Sequence, residues 1–172
     1  PLLKIDEVPT RGESDRTIPQ KSWNRFSDAV YCNGNGACHN WNPKDAMCPS
    51  WKATRQRTQT PKGRASLMRE WLTVVNKNAN ANLTVKRHGF IKNLNQFPER
   101  FKSWRAKRKG EYDFSHEVYE SMAGCLACKS CAGECPIKVN VPEFRSQFLE
   151  LYHSRYFRPL KDYLVASLEF LL

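Results

Sequence analysis

Four cysteines in the run CLACKSCAGECP constrain this chain more than any other feature of its sequence. They are Cys125, Cys128, Cys131 and Cys135, and together they form the C-terminal run. Their spacing, C-x2-C-x2-C-x3-C-P, is typical of bacterial proteins that hold iron–sulfur clusters through thiolates. The first three thiolates suit the corners of one cubane, whereas the longer step and the proline direct the fourth elsewhere. Because zinc sites usually group their cysteines as two separated pairs, the run predicts a [4Fe-4S] cluster rather than zinc.

The other three cysteines form an N-terminal group in the stretch YCNGNGACHNWNPKDAMCPSW. They are Cys32, Cys38 and Cys48, and the last is again followed by proline. A secreted disulfide framework favours an even number of cysteines in a small, loop-rich chain. Seven cysteines with the observed spacing predict a reducing compartment instead, and we expect the cytoplasm.

Length and composition set broad limits on the fold. Of the 172 residues, 40 % are hydrophobic, which is enough for a core, but the net charge of +11 predicts a modest packed part. The opening residues, PLLKIDEVPTRGESD, lack the apolar core of a signal peptide. No stretch approaches the roughly 18 apolar residues of a membrane span. Since the chain starts with Pro1 and ends in an apolar helical pattern, we expect a piece of a larger protein.

Two strong helix starts predict a mostly α-helical fold. Thr60 is a good N-cap, Pro61 suits the first helical position, and an apolar stripe at helical spacing follows. Asn140 and Glu143 have the arrangement of a capping box, with asparagine in place of serine or threonine. The sequence therefore predicts one long helix on each side of the C-terminal run.

Weaker signals complete this architecture. Residues 85–109 have an interrupted helical pattern, and a further helix is expected from near Asp113 to about Ala123. Pro159 should end the helix after the C-terminal run and precede a last one. Turn-forming residues place 31–51 on a loop with one short helical turn. No segment shows the alternation of a strand, so we expect the cysteine loops to lie between helices.

Polar composition without periodicity predicts an extended arm or linker over residues 1–30. Residues 31–172 then form the iron–sulfur domain. This division puts all seven cysteines in one domain.

The seven cysteines divide in more than one way. In proteins with two such clusters, the fourth cysteine of each run serves the other cluster. Carried over here, Cys48 completes the set formed by the first three cysteines of the C-terminal run. The remaining set of Cys32, Cys38 and Cys135 is one ligand short, which fits a three-iron cluster or a cubane completed by His39, water or another domain. The simpler alternative is a single cluster held by the C-terminal run alone.

Four stretches of the chain carry a resemblance to a known family. They are CNGNGAC (32–38), MCPSWKATR (47–55), PKGRASLMREWL (61–72) and CLACKSCAGECPIKVNVPEFRSQFLELYHSRY (125–156). Together they resemble the iron–sulfur region of large bacterial FAD-linked oxidases that dehydrogenate D-2-hydroxy acids. D-lactate and D-2-hydroxyglutarate dehydrogenases are the nearest in type, and the resemblance covers roughly residues 31–165.

The resemblance implies an α-helical ferredoxin-like module, similar to those of anaerobic glycerol-3-phosphate dehydrogenase and heterodisulfide reductase. In such enzymes an FAD-binding domain of the same polypeptide oxidises the substrate, and the clusters pass the electrons to an acceptor that the sequence does not identify. This chain has no flavin-binding sequence and no substrate-site motif. We therefore expect no catalytic residue in it, and FAD only in the parent protein.

A basic stretch interleaved with aromatic residues allows three interpretations. We expect a solvated face whose aromatic side chains pack inward; the alternatives are docking to an acidic domain and nucleic-acid binding. The last would make the chain a zinc-stabilised nucleic-acid-binding module, and we expect no nucleic acid. The basic residues are Lys86, Arg87, Lys92, Arg100, Lys102, Arg105, Lys107, Arg108 and Lys109, and the aromatic residues are Phe90, Phe97, Phe101 and Trp104.

The tripeptide Lys62-Gly63-Arg64 suggests a phosphate-binding loop at first sight. Such a loop requires further glycines at fixed spacing, and these are absent here. The sequence therefore assigns no function to this tripeptide.

Overall fold

The computed structural model describes residues 11–77 and 97–168, and within these ranges it is helical and contains no strand. The predicted mostly α-helical class is thereby confirmed. The helices are α1 (Arg11–Asp15), α2 (Gln20–Arg25), α3 (Ser27–Val30), α4 (Pro49–Thr54), α5 (Pro61–Lys77), α6 (Phe97–Arg108), α7 (Ser115–Ala123), α8 (Ser130–Glu134), α9 (Val141–Arg155) and α10 (Leu160–Leu168), with 3-10 turns at Ala37–His39 and Arg57–Gln59.

The described residues divide into two compact units. The first unit comprises 11–77 and 114–147, and the second comprises 97–113 and 148–168. All seven cysteines belong to the first unit. The first unit includes helices from residues 11–30 as well as helices from later residues, so it extends across the boundary predicted at residue 30.

The first unit is built around α5, which starts where the sequence predicts. The hydroxyl of Thr60 accepts a hydrogen bond from the backbone N–H of Gly63 over 2.9 Å, as expected of an N-cap. The apolar stripe that follows is buried, with Met68 and Leu72 fully inaccessible. Through this face α5 packs against α3 and α7.

The remaining predicted helices are also present. The expected helix from near Asp113 is α7, and α9 and α10 are separated around Pro159. Of the stretch 85–109, residues 85–96 lie outside the described residues and the rest is mainly α6. The capping box itself is not formed as predicted, because Asn140 Oδ1 is buried without a hydrogen-bond partner in the described part of the chain.

Residues 11–30 differ from the extended arm predicted over 1–30. They form α1, α2 and α3, and the side chains of Phe26, Ala29 and Val30 are buried. These helices are too short to show periodicity, and their stability comes from packing rather than from local preference. For residues 1–10, which lie outside the described residues, the arm stays a prediction.

The aromatic residues of the basic stretch do not pack inward as predicted. In the second unit, Phe97, Phe101 and Trp104 on α6 have exposed fractions of 57, 48 and 39 %. No residue of α6 is buried. This helix therefore presents basic and aromatic side chains together. Lys86, Arg87, Phe90 and Lys92 lie outside the described residues.

None of the helices within 11–77 and 97–168 combines the length and apolar character needed to cross a lipid bilayer.

Candidate functional site

One cavity in the first unit is lined by four cysteines, of which one comes from the N-terminal group and three from the C-terminal run. The first cavity is lined by Cys48 of the N-terminal group and by Cys125, Cys128 and Cys131 of the C-terminal run. This is the set in which Cys48 was expected to complete the first three cysteines of the C-terminal run. The side chain of Arg64 also lines this cavity.

Cys48 reaches the first cavity from the residue immediately before α4. Its backbone has φ 33°, in the left-handed region that non-glycine residues rarely adopt, and Pro49 then occupies the first position of the helix. The Cys48 sulfur lies 3.5 Å from the carbonyl oxygen of Gln59. The Cys-Pro step therefore turns the thiol toward the 3-10 turn that precedes α5.

The C-terminal run is fixed to α4 at its start. Ser50 donates a hydrogen bond to the carbonyl oxygen of Gly124 over 2.6 Å. Within the run, Ala127 and Lys129 have φ of 54° and 61°, again in the left-handed region. These turns let cysteines three positions apart line the same cavity, and Cys131 follows within α8.

The other three cysteines line a second cavity. Cys32, Cys38 and Cys135 contribute to its wall, together with Lys62. His39 is not among the lining residues of this cavity. The Nε2 of His39 lies 3.3 Å from the hydroxyl of Thr60, and the His39 ring packs against Trp51. The second cavity thus presents three thiols, and the expected spare histidine faces elsewhere.

Two helix N-termini each direct a backbone N–H at a cysteine sulfur. The N–H of Lys62, in the first turn of α5, lies 3.4 Å from Cys38 Sγ. The N–H of Val141, the first residue of α9, hydrogen-bonds to the Cys131 thiol. Because the N-terminus of a helix carries partial positive charge, both contacts favour the thiolate form.

The thiols of the first cavity influence each other's ionisation. Burial, with a smaller contribution from the nearby thiols of Cys125, Cys128 and Cys48, raises the pKa of Cys131 to about 11 despite the hydrogen bond from Val141. Burial acts to raise the pKa of Cys128. This pKa is nevertheless lowered, because Ser130 donates hydrogen bonds to the thiol and the positive charge of Arg64 lies nearby. Four ionised thiols in this cavity therefore require further positive charge.

All seven cysteines are free thiols. Within residues 11–77 and 97–168, no three cysteine, histidine or acidic side chains converge closely enough to hold a metal ion. The cysteines thus line the walls of two cavities without meeting at one point.

Arg64 supplies positive charge at the first cavity. Its guanidinium is almost wholly buried, with an exposed fraction of 1 %. It donates to the carbonyl oxygen of Ser121 over 2.9 Å and to the side chain of Gln59 over 2.6 Å. Its Nη1 also lies 3.8 Å from Cys48 Sγ.

No sequence motif indicates a role for Arg64 or for Lys62, which lines the second cavity. One signal was available for Arg64, since it lies four residues before Met68 and hence on the apolar face of α5. Nothing in the local sequence indicates the partners of its guanidinium, Gln59 and Ser121, because folding brings them there from other elements.

The chain is similar over nearly its whole length to proteins named D-2-hydroxyglutarate dehydrogenase. The relative from Pseudomonas putida is 60 % identical over 169 residues, which is 98 % of this chain and 17 % of the relative. The relative from Escherichia coli is 48 % identical over 172 residues, with the same two shares. The relative from Pantoea ananatis is 49 % identical over 170 residues, and the match covers 98 % of this chain and 16 % of that protein.

No protein-family model and no solved structure matches the chain. The chain spans about a sixth of the length of the curated relatives it matches. The expected resemblance to D-2-hydroxyglutarate dehydrogenases is thus confirmed, and this chain corresponds to one segment of proteins of that name.

Proposed function

We propose that this chain is the iron–sulfur electron-transfer segment of an FAD-linked D-2-hydroxy acid dehydrogenase that acts on D-2-hydroxyglutarate. The observation that carries the proposal is the first cavity, because cysteines from two distant parts of the sequence, Cys48 and the C-terminal run, line it together. The names of the relatives support the substrate class. D-lactate is the alternative within the same class.

The donor set of the first cavity fits a [4Fe-4S] cluster. Four thiolates are the usual ligands of such a cluster, and each binds a different iron, so they need not converge on one point. Cys48, Cys125, Cys128 and Cys131 would hold it. When bound, the cluster accepts and releases single electrons.

The second cavity fits a cluster with one ligand fewer. Cys32, Cys38 and Cys135 would hold either a three-iron cluster or a cubane whose fourth ligand comes from outside this chain. His39 is not the ligand we favour, because its ring faces Thr60 and Trp51 instead.

The proposed division of labour places the covalent chemistry outside this chain. Oxidation of a D-2-hydroxy acid to the 2-oxo acid releases two electrons and two protons, and FAD elsewhere in the same polypeptide would take up both. Clusters held by this segment would supply one-electron transfer from the reduced flavin to a one-electron acceptor, and the flavin would release its two protons to solvent. The residues of this segment hold the clusters, limit their contact with water and set their potentials; none of them touches the substrate.

Anaerobic reconstitution of the natural polypeptide tests the proposal. We expect it to bind iron and sulfide in the stoichiometry of at least one [4Fe-4S] cluster and to give an EPR signal on reduction. Stoichiometric zinc without iron would contradict the proposal.

One observation favours a second candidate, a nucleic-acid-binding module. Basic and aromatic side chains are exposed together along α6, and such a combination can bind single-stranded nucleic acid. A titration with duplex and single-stranded DNA at physiological salt separates the candidates. A merely basic surface loses affinity steeply as salt rises, so micromolar binding at that salt would favour the second candidate.

A further inference from the structure

Arg64 is an unusual residue for the interior of a protein. Arginine is rarely fully buried unless a negative charge accompanies it, because burying an unpaired charge is costly. In the part of the chain that the structure describes, Arg64 forms no ion pair with a carboxylate. Its oxygen partners are the carbonyl of Ser121 and the carbonyl and side-chain amide of Gln59, all neutral.

The guanidinium is held in one orientation at the wall of the first cavity. Its Nε donates to Ser121 and its two terminal nitrogens donate to Gln59. Gly124 leaves room for this arrangement, since a Cβ at that position would overlap the Gln59 side chain. Among the hydrogen-bond partners of Arg64 in the described part of the chain, the one ionisable group is the Cys48 thiol, 3.8 Å from Nη1.

We propose that Arg64 is a positioning residue that compensates the negative charge of the thiolate-bound cluster in the first cavity and thereby raises its reduction potential. This inference rests on the proposed function. The potential of an iron–sulfur cluster depends on its net charge, its exposure and the hydrogen bonds to its sulfurs. Reduction adds one negative charge, so a fixed buried cation stabilises the reduced form more than the oxidised form.

The test is a potentiometric titration monitored by EPR on the natural polypeptide with reconstituted clusters. For Arg64→Gln we expect a more negative midpoint potential for the component that depends on Cys48. A charge-assisted hydrogen bond of ordinary strength implies that the ratio of reduced to oxidised cluster at a fixed potential falls about tenfold. For a one-electron couple this is a shift of about 59 mV.

Lys129→Gln is the matched control. Lys129 also lines the first cavity and carries the same charge, but it is exposed to solvent. Water screens an exposed charge, so we expect its removal to shift the potential much less. Equal shifts for the two variants would overturn the inference, because they would show that the burial of the Arg64 charge does not matter.

Arg64→Lys separates a charge effect from a loss of structure. Lysine keeps the positive charge but cannot bond to Gln59 and Ser121 in the same way. We expect this variant to keep most of the wild-type potential even if it unfolds at a lower denaturant concentration. A potential as low as that of Arg64→Gln would overturn the charge-compensation role, and this result remains informative if Arg64→Gln fails to fold.

The two proposals fail in distinguishable ways. If the wild-type polypeptide takes up no iron, both the proposed function and the role of Arg64 are wrong. If the wild-type polypeptide carries a cluster that depends on Cys48, but Arg64→Gln leaves its potential unchanged, the role of Arg64 alone is wrong.

Discussion

The backbone N–H of Lys62 donates to Cys38 Sγ over 3.4 Å, in the first turn of α5. Pro61, one residue earlier, lines both cavities. Arg64, two residues later, reaches the first cavity from the same turn. The N-terminus of α5 therefore forms part of the wall of both cavities, and its partial positive charge lies beside the thiols of each.

Gly63 allows this turn to approach the preceding one closely. A Cβ at Gly63 would overlap the backbone carbonyl of Arg57. Because a backbone carbonyl cannot move aside as a flexible side chain can, we expect Gly63→Ala to lower the free energy of unfolding by about 1 to 3 kcal/mol. We also expect it to reduce iron binding, since it displaces the start of α5. Urea denaturation and iron analysis measure the two effects.

Gly133→Ala is the control for that substitution. Gly133 lies in α8, two residues after Cys131, and a Cβ there would meet no atom within 4 Å. We expect this variant to unfold at a urea concentration close to that of the wild type. Equal loss of stability in both variants would contradict the importance of the close approach at Gly63.

A buried ion pair joins α1 to α5. Arg69 and Asp15 pair through both carboxylate oxygens, and their side chains are 9 and 10 % exposed. Asp15→Asn leaves the Arg69 charge buried without compensation, and we expect a loss of about 3 to 5 kcal/mol in the free energy of unfolding. Chemical denaturation measures this loss.

The double variant Asp15→Leu with Arg69→Met tests the same ion pair in the opposite direction. It removes both charges and fills the space with apolar atoms. We therefore expect its free energy of unfolding to lie much closer to the wild-type value than that of Asp15→Asn does. A double variant that is less stable than the single one would show that the ion pair itself is required.

Some helices of the first unit could be predicted from the sequence, and others could not. The start of α5 was predictable because its signals are local: Thr60 caps the helix and Pro61 suits its first position. The short helices of residues 11–30 were not, because the burial of Phe26 depends on contacts with distant parts of the chain.

The candidate site shows the same limit. Spacing alone predicts a cluster at the C-terminal run, whereas the prediction that Cys48 belongs to the same set required knowledge of how paired clusters share their ligands. The burial of Arg64 could not be predicted, since it depends on carbonyl oxygens that folding brings together. The exposure of Phe101 on α6 also escaped prediction, because an apolar side chain in a helical pattern normally indicates a buried face.

The second unit contains a histidine whose titration should affect stability. Burial lowers the pKa of His153 from its usual 6.5, and the positive charge of Arg158 lowers it further. The unfolded chain therefore takes up a proton near pH 6.5, while the folded chain takes it up only at lower pH. Stability from this group is complete above about pH 6.5 and declines as the pH falls below it.

His153→Gln tests this pH dependence, because glutamine does not titrate. We expect the urea midpoint of the wild type to fall relative to that of the variant as the pH is lowered below about 6.5. Midpoints that change in parallel across this range would show that His153 does not contribute.

The membership of Cys48 in the set formed by Cys125, Cys128 and Cys131 is the central claim, and iron analysis combined with EPR tests it most directly. The measurement compares Cys48→Ser, Cys128→Ser and Cys135→Ser in the reconstituted natural polypeptide. We expect Cys48→Ser and Cys128→Ser to lose the same amount of iron and the same EPR component, and Cys135→Ser to leave that component intact. Full iron content in Cys48→Ser, with loss of the Cys128-dependent component in Cys135→Ser, would contradict the account and favour a single cluster held by the C-terminal run.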